Sequence, residues 1–222
     1  MNAAYRITPV RPKDSIRFQC LRCGGCCRKI KDSVMLEPMD VYRLGKHLRA
    51  KGEPIEGTED VLSRYAHPSM LNGGFPIFLL NTAEPEDACV FLRDGGCTVY
   101  EARPRVCRLY PFTVAPGVRG RDFEYFLCTE HAHHFGGGSV LVKDWLYVNF
   151  PREARDFLRA DFDGAAALGR LLRGMEEDAR KRTLFPFLMF RYYDYDLDQP
   201  FLPQFLSNLE CLKATLAKGD AQ

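Results

Sequence analysis

Residues 18–31 read FQCLRCGGCCRKIK, which sets Cys20, Cys23, Cys26 and Cys27 into one short stretch. Two successive Cys-x2-Cys steps make a tight chelating loop, because each turn brings two sulfurs toward one centre. Gly24 and Gly25 suit such a loop. Glycine takes positive φ and permits close backbone approach, and the N–H groups of the turn can face thiolate charge. Cys26 and Cys27 are neighbours, and neighbours in extended backbone point to opposite sides. The pair is therefore expected to serve two metal centres or to bridge two close ones. The C-x2-C-x2-C run also matches the first three ligands of a bacterial ferredoxin loop, without the fourth cysteine and its following proline.

Outward from this stretch lie Cys89, Cys97, Cys107 and Cys128, separated by seven, nine and twenty residues. These spacings match no standard zinc ribbon, so they make sense only if the fold carries them back to the first loop. The eight cysteines up to Cys128 would fill two tetrahedral sites of four sulfurs each. Two divalent ions would neutralise only half of the charge on eight thiolates. Arg17, Arg22, Arg28, Lys29 and Lys31 crowd the first loop, and Arg103, Arg105 and Arg108 surround Cys107; basic side chains stabilise thiolates. Cys211 stands far off and reads as a packing residue of the last helix.

The 222 residues are 46% hydrophobic and 27% charged, with a formal net charge of +2. This is a globular balance and excludes collagenous and disordered classes. No apolar run approaches the ~20 residues that span a bilayer, so no membrane partner is expected. Residues 1–18 lack the continuous apolar core of a secretory signal. The expected compartment is the reducing cytoplasm, where clustered cysteines mean metal or redox chemistry more often than disulfides. Residues 1–33 carry eight Lys and Arg against two Asp. Such an arm could track phosphates, but the near-neutral chain argues against a dedicated nucleic-acid partner. Metal ions are the partners expected, and a protein partner is left open.

The block Cys20-x2-Cys23-x2-Cys26-Cys27, followed by Asp40 and Leu44, resembles the opening of the cysteine-cluster family (YkgJ-like). The stretch CVFLRDGGCTVYEARPRVCRLYPF, residues 89–112, is similar to that family's most distinctive block, with Cys97, Tyr100, Arg103, Pro104, Cys107, Arg108, Pro111 and Phe112 in order. Cys128 and the glycines 136–138 are similar to its third block. The resemblance covers residues 18–150. It implies zinc or iron chelation, with Zn2+ or an iron–sulfur cluster as cofactor. A related domain occurs in flagellin lysine N-methylases, which implies as an alternative a protein (lysine) methyltransferase, or an accessory of one carrying an iron–sulfur cluster. No glycine loop for a cofactor follows a strand, so an enzyme activity is left undecided. The segment Thr129-Glu130-His131-Ala132-His133-His134 departs from the family pattern, which opens His131 as an extra ligand at Cys128-x2-His131. His133 and His134 are expected at the surface or behind a ligand.

The fold class expected is α+β: a small cysteine-rich metal-binding half of short strands and loops, packed against a mainly helical C-terminal half. Residues 1–17 read as an extended arm, 18–150 as the metal-binding domain and 151–222 as a helical extension. Helices are expected over 38–51, with Val41, Leu44 and Leu48 on one face, and over 58–66 with Thr58 as N-cap. Further helices are expected from Lys143, over 153–160, over 165–181 and over 201–216. A helical turn over 101–109 would carry Cys107 and Arg108. Strands are expected over 75–80, 88–92, 112–115 and 123–128, with loops over 68–74 and 116–122. Gly136, Gly137 and Gly138 read as a hinge. The run Asp194, Asp196, Asp198 opens like a calcium loop, but Gln199 and Phe205 stand where glycine and glutamate are required, and a half-buried strand accounts for the alternation. Tyr100, Arg103 and Arg108 are the expected supports behind the sulfur ligands.

Overall fold

The computed structural model describes residues 7–71, 74–117 and 122–219. The architecture is α+β, with short antiparallel strands in the first part of the chain and long helices in the second. The described part of the arm holds two short strands joined by a turn. Ile7–Val10 pairs with Phe123–Cys128, whose other edge pairs with Phe112–Pro116. Ser15–Arg17 pairs with Ser139–Leu141, so the start of the chain is tied to the segment that follows the last clustered cysteine. Residues 1–6, and residues 118–121 of the expected connection, lie outside the described residues.

Helix α1, Pro38–Ala50, begins on Pro38, whose fixed φ suits a first helical turn. Asp40 accepts the Glu37 N–H at 3.2 Å and closes the N-terminus. Val41, Leu44 and Leu48 are buried on one face. Helix α2, Thr58–Tyr65, departs from expectation at its start. Gly57 is the N-cap, because Asp60 takes the Glu56 and Gly57 N–H groups. Thr58 is thereby released to donate its hydroxyl to the Tyr193 carbonyl at 3.0 Å.

The loop expected over 68–74 is corrected at residues 68–71, while residues 72–73 lie outside the described residues. Ala66–Leu71 is a strand paired with Phe75–Leu80. Pro68 is tolerated because this strand is an edge, Phe75–Leu80 pairing on its far side with Met35–Leu36. The single strand expected over 88–92 is instead two fragments. Ala88–Cys89 pairs with Thr82–Ala83, and Leu92–Arg93 turns back on Gly96–Cys97. Asp94 and Gly95, both at positive φ, make that turn.

The 3-10 turn Tyr100–Ala102 leads into helix α3, Arg105–Leu109, which carries Cys107. Helices α4, Val142–Asn149, and α5, Arg152–Gly174, follow. The expected break between 160 and 165 does not occur. The helix expected to continue to residue 181 stops at Gly174, and α6, Glu177–Leu188, starts afresh. Arg180 explains the stop, since its guanidinium takes the carbonyls of Leu172 and Met175 at 3.2 and 3.1 Å. Such orphan carbonyls otherwise need water or a longer helix.

Residues 194–198 form no ladder, although their burial alternates as it would in a half-buried strand. Tyr195 and Leu197 are buried while Asp194 and Asp196 are exposed. The Gln204 amide holds this bend through the carbonyls of Asp196, Gln199 and Pro200. Helix α7, Phe201–Gly219, buries Phe205, Leu209, Leu212 and Leu216. Cys211 is exposed rather than packed, because one residue along a helix is a rotation of about 100° and Leu212 takes the inward position. One apolar core runs from Val34 and Leu36 through α1, Phe112 and α5 to Leu216. Within it the buried Arg191–Asp161 pair, at 2.6 Å, joins α5 to the π-helical turn Met189–Tyr193.

Candidate metal centre

The glycine loop is built to turn sharply. Gly24 sits at φ 70°, and a Cβ there would lie 2.8 Å from both Arg28 Nη1 and Leu92 Cδ1. The chain then closes a 3-10 turn, Gly25–Cys27, with the Cys27 N–H on the Gly24 carbonyl at 3.0 Å. Arg28 clamps the loop by donating to that same carbonyl at 3.1 Å and to Glu86 at 2.7 Å. The amides of Lys29 and Ile30 bond to the carbonyls of Glu86 and Asp87. These contacts carry the 82–89 ladder, and Cys89 with it, to the first loop.

Cys97 arrives on the next hairpin, directly opposite Leu92. Cys107 arrives on α3, which is fixed to the start of α1. Arg105 donates two side-chain hydrogen bonds to Glu37, and its amide donates to Asp40 at 2.8 Å. Four separate pieces of backbone thus converge. The four cysteines of the first loop, with Cys89, Cys97 and Cys107, line one cavity of about 160 Å³.

Cys128 stands apart from that wall. It pairs opposite Ile7 in the sheet, and its amide bonds to the Pro111 carbonyl at 2.8 Å. Burial pushes Tyr110, on the cavity wall, above the ordinary phenol range, and the charge of Cys128 adds to that push.

Cys26, Cys27, Cys89, Cys97 and Cys107 act on one another through charge. A hydrogen bond from Cys27 pulls Cys26 down to about 7, with help from its own backbone amide and Arg103. Cys27 is pushed up by the same bond, by burial and by the charges of Cys26, Cys89 and Cys107. Burial raises Cys89 to about 11 and raises Cys97 and Cys107 as well. Two adjacent cysteines therefore share one set of distant partners. A dense group of part-buried and exposed sulfurs around one cavity is the donor set that zinc and iron–sulfur clusters take.

Of the expected supports, Tyr100 and Arg103 lie on the cavity wall. The Tyr100 ring is sandwiched between Arg103, 3.6 Å from its centroid, and Arg22 at 4.2 Å. Its hydroxyl is 4.0 Å from Cys20 Sγ. Arg108 turns away instead and donates to the Asn149 carbonyl at 2.9 Å, fastening α3 to α4.

Three histidines follow Cys128. His131 caps the 3-10 turn Ala132–His134, and that turn directs the next two rings to the first loop. Cys23 Sγ lies 3.2 Å from His134 Nε2 and 3.5 Å from His133 Nε2. The three donor atoms are within 4.8 Å of one another. His134 is buried, and Tyr110 bonds its Nδ1 at 2.9 Å. Burial, then the neighbouring histidines, hold its pKa below the ordinary value. His131, its ring 5.5 Å from that of His134, is not among the three gathered donors. The Cys128-x2-His131 spacing drew attention to the first histidine, whereas the turn decides which rings face Cys23.

The model of the CxxCxxCC family, described as "Putative zinc- or iron-chelating domain", matches residues 19–133. An uncharacterized protein of Methanocaldococcus jannaschii is 28% identical over 103 residues, 46% of this chain and 48% of its own length. The chain thus spans about half the length of the curated relative it matches. No solved structure matches. The methyl-transfer alternative finds no support in either description.

Proposed function

Because the chain belongs to the CxxCxxCC family, we propose that it is a metal-chelating protein whose cavity takes zinc, or an iron–sulfur cluster, on Cys26, Cys27, Cys89, Cys97 and Cys107. The observation that carries this reading is the convergence of cysteines from four stretches of chain on one cavity. Five sulfurs are more than one tetrahedral ion uses, so the centre has more than one metal atom, and Cys26 and Cys27 supply its bridge. Cys20 and Cys128 flank it, beside Tyr100 and Tyr110. Tyr100, held between Arg22 and Arg103, brings two positive charges to the thiolate side of the site. A centre that needs thiolates works in a reducing compartment, which favours the cytoplasm.

Metal analysis of anaerobically purified protein tests this reading. The expected result is stoichiometric zinc in a colourless protein, or iron with visible sulfide-to-iron absorbance, lost in either case from the Cys97→Ser, Cys107→Ser double variant. A folded protein that holds and takes up no metal, with every thiol free to react, would overturn it.

A further inference from the structure

We propose that Cys23, His133 and His134 form a second metal site, separate from the sulfur centre, that binds a borderline divalent cation of the zinc class and keeps a fourth position for an exchangeable anion or water. The site does not rest on the sulfur-centre reading, since it needs none of Cys26, Cys27, Cys89, Cys97 or Cys107.

The donor atoms are already gathered. One sulfur and two imidazole nitrogens lie within 4.8 Å of one another, and they come from two segments far apart in sequence. Those segments are fixed together by backbone, because the Gln19 amide bonds to the His134 carbonyl at 3.1 Å and the Phe18 amide to the Gly138 carbonyl at 2.9 Å. The Phe18 ring meets His134 edge-on at 6.3 Å. The Tyr110 hydroxyl at Nδ1 orients the His134 ring so that Nε2 faces Cys23. Metal-ligating histidines nearly always have the other ring nitrogen bonded in this way.

One thiolate and two neutral imidazoles suit zinc, cobalt or nickel better than the hard oxygen-seeking cations. They leave a divalent ion with a single net positive charge, which an anion or hydroxide would neutralise. Three protein ligands with a free fourth place is the arrangement of zinc sites that exchange ligands, as opposed to closed structural sites. Access exists from two sides. Cys23 and His133 are exposed, and Cys23 and His134 also border the cavity.

Cobalt(II) provides the test. Wild-type protein is expected to take up one cobalt more per chain than the Cys23→Ala, His133→Ala and His134→Gln variants. That ion should show a single-thiolate charge-transfer band and visible bands that shift when azide is added. His133 is exposed and lies off the cavity wall, so its variant keeps the core and the sulfur-bound metal. Equal cobalt uptake and identical spectra in wild type and these variants would overturn the proposal, as would bands that azide leaves unmoved. The Cys97→Ser, Cys107→Ser variant separates the two readings. If it keeps the azide-sensitive cobalt band, this site stands whatever becomes of the sulfur centre. If wild type holds its sulfur-bound metal but takes up no further ion, this proposal alone falls.

Discussion

The guanidinium of Arg105 holds the Glu37 carboxylate through two hydrogen bonds, of 2.6 and 2.8 Å, with both side chains largely buried. Two residues along from Arg105 is Cys107, and one residue beyond Glu37 is the first turn of α1. The pair therefore sets the depth at which α3 inserts its sulfur into the cavity. Arg105→Leu leaves Glu37 charged and unpaired beside Asp40, and breaking one side of a buried pair costs about 3–5 kcal/mol. Denaturant unfolding of the metal-loaded variant should show a loss of that order together with reduced metal content. A change within about 0.5 kcal/mol, ordinary for a surface substitution, would mean that the pair does not position α3.

Asp40 gives a signed dependence on pH. Burial first, and then the charge of Glu37, raise its pKa to about 7, against the pull of Arg105. Between the ordinary 3.8 and about 7 the folded protein holds a proton that the unfolded chain has released. By linkage, stability from this group is greatest below that window and is lost as pH rises through it. Asp40→Asn keeps an acceptor for the Arg105 amide and removes the titration. The difference in urea midpoint between wild type and Asp40→Asn should move in favour of the variant as pH climbs from about 4.5 to 7.5. Parallel curves would refute the shift.

Much of this was legible in the residues, and the misses have physical causes. The α+β class and the α1 face of Val41, Leu44 and Leu48 followed from periodicity. The break at Met175 did not, because it depends on Arg180 reaching back across the turn to two carbonyls. The strand Ala66–Leu71 was hidden by Pro68, which is harmless only on an edge. At the site, residue type identified the cysteines, but which sulfur faces which partner is set by the turn at Gly24 and by the 3-10 turn that aims His133 and His134. Neither has a signature in spacing alone.

Metal uptake should release protons. Burial keeps Cys89 near 11 and raises Cys97 and Cys107 too, so in the metal-free protein these thiols are protonated at neutral pH. A bound ion requires them as thiolates. Each proton expelled makes the apparent affinity rise about tenfold per pH unit, up to the thiol's own pKa. Competition against a colorimetric chelator between about pH 6.5 and 8.5 should give a slope of at least one. A flat profile would show that no raised thiol is a ligand.

Two of the three shortest ladders bear clustered cysteines. Thr82–Ala83 with Ala88–Cys89, and Leu92–Arg93 with Gly96–Cys97, have two residue pairs each. An isolated hairpin is marginal in water even at several pairs, so these two ladders by themselves hold residues 82–97 only weakly. Each ladder contains one clustered cysteine, and each would be cross-linked to the first loop by sulfur–metal bonds. The helices α5 and α7 are held by Phe157, Phe201 and Phe205 in mutual ring contact, and no sulfur is needed there. Hydrogen exchange followed by mass spectrometry, with and without a strong chelator, should therefore show residues 18–31 and 82–97 losing protection by orders of magnitude, with α5 and α7 changing far less. Uniform loss across the chain would mean that the metal stabilises the whole core at once, and no loss at all would mean that the ladders stand without it.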